Sequence, residues 1–271
     1  MYGTGMIRTG IGGWTYPEWR GGMFFPEGLR QADEQEYATR AVSVIEVNGT
    51  FYRLQNADSF AKWRKIAPPG FVYSLKGSRF ATNRKVLATA GESVEKFVGQ
   101  GIVELGDMLG PIVWQLAATK RFDPDDVAAF LELLPPEHAG VALRHAIEVG
   151  HESFACAEFV DLARTARVAI VFSEADNRVS IADRTADFAY LRMQDMHGEC
   201  PTGYPPAGLD RIAGLCREWE AGEAPDGVPY AGHPADSVGR AGDVFALLIN
   251  GAKERAPAAA MALAARLGEM K

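Results

Sequence analysis

The chain has three cysteines in 271 residues, Cys156, Cys200 and Cys216. They are odd in number, far apart and form no C-x-x-C. That excludes a disulfide framework and a zinc site, and they read as reduced thiols. Histidine is scarce as well, five in all, with no H-x-H or H-E-x-x-H spacing. Long apolar runs are missing: the longest strand-like one, 244–249, is far too short to span a bilayer. The opening residues, Met1 to Met6, lack both the basic and the apolar region of a secretory leader. The expectation is a soluble, cytoplasmic protein with no membrane partner. There is no P-loop, and Gly10-x-Gly12-Gly13 running into Trp14 is not a dinucleotide fingerprint, since no helix begins there. No repeat of solenoid period and no linker dividing two domains is visible. Positive charge is not in excess either. A formal net charge of -7 argues against a general nucleic-acid coat, although a local basic pocket remains compatible with it.

What is present is enough apolar material for a full core, 47% hydrophobic against 23% charged residues. Eight strand-like runs are predicted at 7–12, 42–48, 71–76, 111–116, 140–145, 168–173, 188–193 and 244–249. Helical spacing alternates with them at 33–40, 57–67, 93–108, 125–134, 152–166, 209–221 and 257–267. Pro68-Pro69 ends the second of these, and Asp123-Pro124 opens the fourth. Eight strands alternating with helices predict a single TIM-like (β/α)8 barrel of parallel strands, with an open doubly wound sheet as the runner-up. Two stretches fit less well. The aromatic, glycine-rich connection 12–31 follows a strand and would cover the active face. The Gly-, Pro- and Asp-rich stretch 222–243 reads as a loop insertion on the opposite face.

The organising stretch is V-S-V-I-E-V-N-G-T-F-Y-R-L at 42–54, a β-branched run that emerges in Glu46 and Asn48. A charged or amide group where a buried strand ends is costly without a partner or a task. The event recurs: Lys76, Gln115, Arg144-His145, Arg192 and Asn250 each close an apolar run. On a barrel these would form a ring at one end.

With G-I-G-G-W-T-Y-P-E-W-R-G-G-M-F-F-P at 10–26 and I-E-V-N-G-T-F-Y-R-L at 45–54, the sequence resembles the YecE-like family, domain of unknown function 72. Weaker support comes from Thr82 after the third strand, Gln115-Leu116, Arg144-His145, Tyr190-Leu191-Arg192, and Asn250 before the alanine-proline segment. The resemblance implies a TIM-like barrel and no established activity. The chain departs from the family pattern in several places. Ala142 stands where a glutamate precedes the Arg-His pair by two residues, and the tryptophan after that pair is missing. Ala117-Ala118 replace two prolines, and Asn83 replaces a histidine. Arg192-Met193-Gln194 replaces Arg-x-His-Gly, and Asn250-Gly251 replaces paired asparagines. A divergent member is implied.

The chemistry follows from the ring. Glu46 can serve as a general base or simply neutralise Arg144 or Lys76. Lys76 can be an amine nucleophile, or a cation that binds an anion. His145 can move protons near neutral pH or act as a hydrogen-bonded structural residue. These three are the candidate catalytic residues. Arg144 and Arg192 suit bidentate contact with a carboxylate or phosphate. Gln115, Asn48 and Asn250 can read hydroxyls, while Trp14, Tyr16 and Tyr52 supply a stacking platform or the loop's own small core. A metal would need Glu46, His145, Glu174, Asp176 and His197 to converge; no motif spacing supports this, so no cofactor is expected and a divalent metal is left open. The leading expectation is an isomerase, lyase or hydrolase working by acid–base chemistry on a small polyhydroxylated anion, a phosphate or carboxylate. The alternatives are a nucleic-acid-binding or phosphodiester-cleaving barrel, and a non-catalytic binding or scaffold protein.

Overall fold

A computed structural model describes residues 5–268. Eight parallel strands form a closed barrel: β1 (Ile7–Gly12), β2 (Val44–Val47), β3 (Val72–Lys76), β4 (Leu109–Gln115), β5 (His145–Glu148), β6 (Ala169–Glu174), β7 (Ala189–Met193) and β8 (Val244–Leu248). Each pairs with its successor, and β8 pairs back onto β1 with Ile7 opposite Val244 and Ile11 opposite Leu248. The TIM-like barrel is therefore the fold, and its mouth at the strands' C-terminal ends is where such barrels carry their sites.

The strands are buried on both faces, which is why they read as continuous apolar runs. Residues at alternate positions, among them Val44, Val72, Val113, Ala146, Val171 and Tyr190, pack inside the barrel. The other face meets the helices: α1 (Glu34–Ala41) after β1, α2 (Gly49–Tyr52) and α3 (Ala57–Ile66) after β2, and α4 (Arg79–Thr82) and α5 (Gly91–Val98) after β3. Then come α6 (Pro124–Glu132), α7 (Ala157–Thr165), α8 (Pro206–Ala221) and α9 (Ala256–Leu267). Local signals set several boundaries. Asn56 caps α3 by accepting from the Ser59 amide at 2.9 Å, and Asp123 caps α6 by accepting from Asp126 at 3.2 Å.

Three sequence expectations are corrected. The fifth strand lies at 145–148, not 140–145. Residues 137–142 instead form a two-stranded antiparallel ribbon that turns at Ala139-Gly140. The helix expected over 93–108 stops at Val98 and is followed by a 3₁₀ stretch, Ile102–Met108. Gly101 explains the break: its φ is 102°, and a β-carbon there would lie 2.6 Å from the Ala57 backbone. The helix expected over 152–166 likewise divides, into a 3₁₀ turn (Glu152–Phe154) and α7.

The 12–31 connection packs on itself around Trp19 and Phe25, both buried. The Trp19 indole donates to the Lys253 carbonyl at 2.8 Å, beyond β8. The 222–243 stretch runs against the helix-free segment between β6 and β7. There Ala182 donates to the Pro229 carbonyl at 2.8 Å, and Asp183 accepts from the amides of Ala231 and Gly232.

Closure of β1 onto β2 depends on Gly10, where a β-carbon would come within 1.9 Å of the Val44 carbonyl oxygen. Backbone cannot yield as a flexible side chain does. Gly10→Ala is expected to lower stability by about 3 kcal/mol or more, read as the urea midpoint of equilibrium unfolding.

Candidate functional site

The inward alternation that packs the barrel also builds its mouth. On the same inward alternation as the interior residues of their strands stand Glu46 on β2, Lys76 on β3, Gln115 on β4, Glu148 on β5, Ser173 on β6 and Arg192 on β7. Glu46 and Glu148 have no exposed surface and Arg192 almost none. The Arg192 guanidinium grips Glu46 bidentately, Nη2 at 2.9 Å and Nε at 3.1 Å, and its Nη1 donates to Glu148. The Tyr190 hydroxyl donates a third bond to Glu46 at 3.0 Å, and itself lies 2.9 Å from the Ser74 hydroxyl. Glu148 also accepts from Gln115, from Ser173 at 3.0 Å and from Gln194 at 3.2 Å, with Arg178 Nε at 3.7 Å.

Burial pushes the Glu148 carboxyl up, but Arg192, Arg178 and the hydrogen bonds from Gln115 and Ser173 outweigh it and hold the group below its ordinary value. Burial likewise opposes the charge on Arg192, and Glu148 and Glu46 more than restore it. Both carboxylates are saturated with donors. That makes them framework for Arg192, a poor state for a proton acceptor.

Lys76 differs. It is 8% exposed, and its ammonium makes no hydrogen bond or ion pair with the described residues; it lies 4.5 Å from the centre of the Phe51 ring. Burial draws its pKa down, the Glu46 charge counteracts this, and the Arg192 charge adds to the lowering. Within the ring two carboxylates face three cations, Arg192, Arg178 and Lys76, so one positive charge is left over for a ligand.

Most of the other predicted residues gather here. A cleft of about 360 Å³ at the mouth is lined by Trp14, Tyr16, Asn48, Arg53, Gln55 and Trp63. A smaller recess beside it brings Tyr16 and Asn48 together with Arg192, Asn250 and Lys253. The Asn250 side-chain amide donates to Oε1 of Gln194, extending the network outward. Burial raises the Tyr16 phenol, with the Glu46 charge second. Tyr52 sits on the rim, 58% exposed, with the Arg79 guanidinium 5.8 Å from its ring.

Arg144 and His145 do not join the ring. Arg144 precedes β5 and lies at the opposite end of the barrel, paired with Asp243 at 2.8 Å and stacked on Phe245. His145 faces outward between barrel and helices. Its Nδ1 accepts from the Trp114 indole at 3.1 Å and its Nε2 donates to the Pro135 carbonyl at 2.8 Å. Burial lowers its pKa and keeps the imidazole neutral. The true exit of β5 is Glu148, which the sequence reading missed along with Ser173, Arg178 and Gln194. The signal was the repeated Ile-Glu-Val of 45–47 and 147–149. The glutamate of the Glu-x-Arg-His pattern is thus met by Glu148-Val149-Gly150-His151, with Phe154 in place of the tryptophan. Gly150 stands where that pattern has arginine, and the guanidinium beside Glu148 is that of Arg178. Among the described residues no three His, Cys, Asp or Glu side chains converge as metal ligands.

Fold and mouth together define a TIM-barrel protein with a buried ion-pair network under an aromatic cleft. The chain belongs to the family described as "Protein of unknown function DUF72", which it matches over residues 8–271. It is similar in fold to a DUF72 family protein from Thermotoga maritima, with TM-score 0.71 and 17% identity, covering 98% of this chain and 100% of that one. A second DUF72 family protein, from Enterococcus faecalis, superposes with TM-score 0.71 at 12% identity over 97% of this chain and 96% of its own. No curated protein matches the sequence.

Removing the shared cation tests the framework. Arg192→Met leaves two carboxylates buried without their main partner and is expected to cost about 3–5 kcal/mol at pH 7. The wild type loses the Glu148 contribution as pH falls through that group's depressed value, whereas the variant gains by protonating its stranded carboxyls on folding. The two stabilities should converge in acid, as measured by urea unfolding between pH 7 and 4.

Proposed function

We propose that this barrel is an enzyme acting by acid–base chemistry on a small polyhydroxylated anion, a phosphate or carboxylate, held at the C-terminal mouth. The observation that carries this reading is Lys76: a buried amine with lowered proton affinity and no hydrogen-bond or ion-pair partner among the described residues, beside an Arg192 whose charge is matched by Glu46 and Glu148. Asn48 and Lys76 directly follow the paired residues Val47 and Leu75, so the two residues are neighbours at the ends of β2 and β3, and Asn48 lines the cleft. As the neutral amine, Lys76 takes a proton from a substrate C–H or O–H and returns it to a neighbouring atom; as the ammonium, it attracts the anion. Glu46 and Glu148 are positioning residues that fix Arg192, and Asn48, Gln194 and Asn250 offer amides for substrate hydroxyls. Trp14 and Tyr16 supply an apolar wall on which a sugar-like carbon skeleton can rest.

A second reading has its own observation. Residues 49–91 carry eight Lys and Arg against one Asp in a chain of net charge -7. On this flank Arg79 lies between the exposed rings of Tyr52 and Phe80, 5.8 and 5.3 Å from their centres. A basic surface with stacking rings suits a single-stranded nucleic acid.

Thermal shift with sugar phosphates, sugar acids and short single-stranded DNA separates the two. A saturable shift with one small anion, weakly dependent on salt and abolished in Lys76→Met, is expected, and that compound then enters turnover assays. A shift with DNA alone that collapses with added salt, or a small-anion shift that survives Lys76→Met, overturns the first reading. The variant also has a pH signature. Because folding lowers the Lys76 pKa, the unfolded chain binds more protons between the folded value and 10.5, so wild-type stability rises with pH across that window. Lys76→Met should be more stable than wild type at neutral pH and lose that advantage in alkali, by urea unfolding.

A further inference from the structure

At the opposite end of the barrel lies a second cavity, of about 330 Å³. Three segments meet there: the last turn of α7 with Arg164, the segment before β7 with Arg184 and Thr185, and the 237–241 turn before β8. Its lining is rich in guanidinium, and the guanidiniums are short of acceptors. Nε and Nη2 of Arg164 and Nε and Nη1 of Arg184 are buried with no hydrogen-bond partner. Arg164 gives only Nη1 to Asp161, at 3.0 Å, and Arg184 gives only Nη2 to the Asp187 carbonyl, at 3.2 Å. Four buried donors without acceptors are costly for a folded chain, which points to an acceptor supplied from outside.

The chemistry of that acceptor follows from which atoms are open. Nε and Nη2 form the side-on edge of a guanidinium, the edge that receives two oxygens of one anion. Arg192 uses this edge on Glu46, Arg20 on Glu34 and Arg30 on Asp33. Arg164 has the same edge unoccupied. Burial also lowers the proton affinity of Arg184, and the charge of the exposed Asp187 only partly counteracts it. The Ser237 hydroxyl, buried at the same wall, accepts from the Arg184 amide at 3.1 Å and retains its own proton to donate. Asp187 and Asp236 are exposed at the lining, which favours a compact ligand over a polyanion.

We propose that this cavity is a seat for a compact oxyanion, a phosphate or carboxylate group, clasped by Arg164 and Arg184 under the 237–241 turn. The segment before β7 is already bonded to the 222–243 stretch, Arg184 to Ser237 and Asp183 to Ala231 and Gly232, and the ligand adds Arg164 at the end of α7 to that junction. The site is separate from the Lys76 mouth and does not depend on what that mouth does.

The test is calorimetric titration of the full chain with inorganic phosphate, glycerol phosphate and citrate at constant ionic strength, with chloride as the control. Arginine Nε–H resonances are followed in parallel. Titrated in the Lys76→Met background, which removes anion binding at the mouth, saturable binding is expected to persist, with the Arg164 Nε–H signal shifted and affinity at least tenfold weaker when Arg164→Gln or Arg184→Gln is added. Tighter binding of glycerol phosphate than phosphate assigns the seat to a phosphomonoester; tighter binding of citrate assigns it to a carboxylate. If the glutamine variants fail to fold, Arg164→Lys keeps the charge and removes the two-oxygen edge, and the same loss is expected. Binding that survives these substitutions, binding that vanishes in Lys76→Met, or no saturable binding at all overturns the proposal.

Discussion

Two carboxylates and one guanidinium sealed inside a barrel cannot be parted without stranding charge where water does not reach to screen it. Glu46, Arg192 and Glu148 come from β2, β7 and β5, so their contact fixes the relative positions of strands far apart in the sequence. Their saturation determines the state of everything around them. Tyr190, Ser74, Gln115, Ser173 and Gln194 are oriented as donors or relays to the two carboxylates. Lys76 inherits its isolation from the same arrangement, because the nearby carboxylates are already occupied.

The barrel was legible because most of its strands are buried on both faces and written as apolar runs, V-I-E-V in β2, V-Y-S-L in β3 and V-F-A-L-L in β8 among them. Glu46, Lys76, Gln115, Arg192 and Asn250 were legible because a polar residue ending such a run is conspicuous. Arg144 and His145 misled for a physical reason. Arg144, Ala146 and Glu148 share one alternation, so Arg144 does face the interior, but at the strand's beginning. A polar residue marks the mouth only if the strand's direction of exit is known, and the ribbon at 137–142 supplied a decoy strand just before the real one. His145 has the opposite parity and packs against Trp114 in the outer layer. Glu148 was hidden because the run was closed too early. Arg178 and Gln194 lie in connections, where no periodicity announces a side chain's direction.

The two ends of the barrel handle arginine differently. At the mouth every guanidinium edge on Arg192 is matched by a carboxylate of the same chain. On the floor Arg144 is matched by Asp243 and aromatic faces, while Arg164 and Arg184 retain open donors around a cavity. One end is built around an ion-pair network closed by the chain's own carboxylates, with the Lys76 amine outside it, and the other is completed from outside.

The indole of Trp19 reaches the carbonyl of Lys253 across 234 residues of sequence, close to where β1 and β8 seal the barrel. During synthesis the first strand therefore emerges long before its neighbour exists, and the aromatic 12–31 segment must wait with its apolar surface uncovered. Such distant pairing makes folding slow and lengthens the interval in which unpaired apolar surface is prone to aggregate. The same seam means that the mouth can assemble only once β8 and the segment after it are present, so the cleft depends on residues from both sides of the closure.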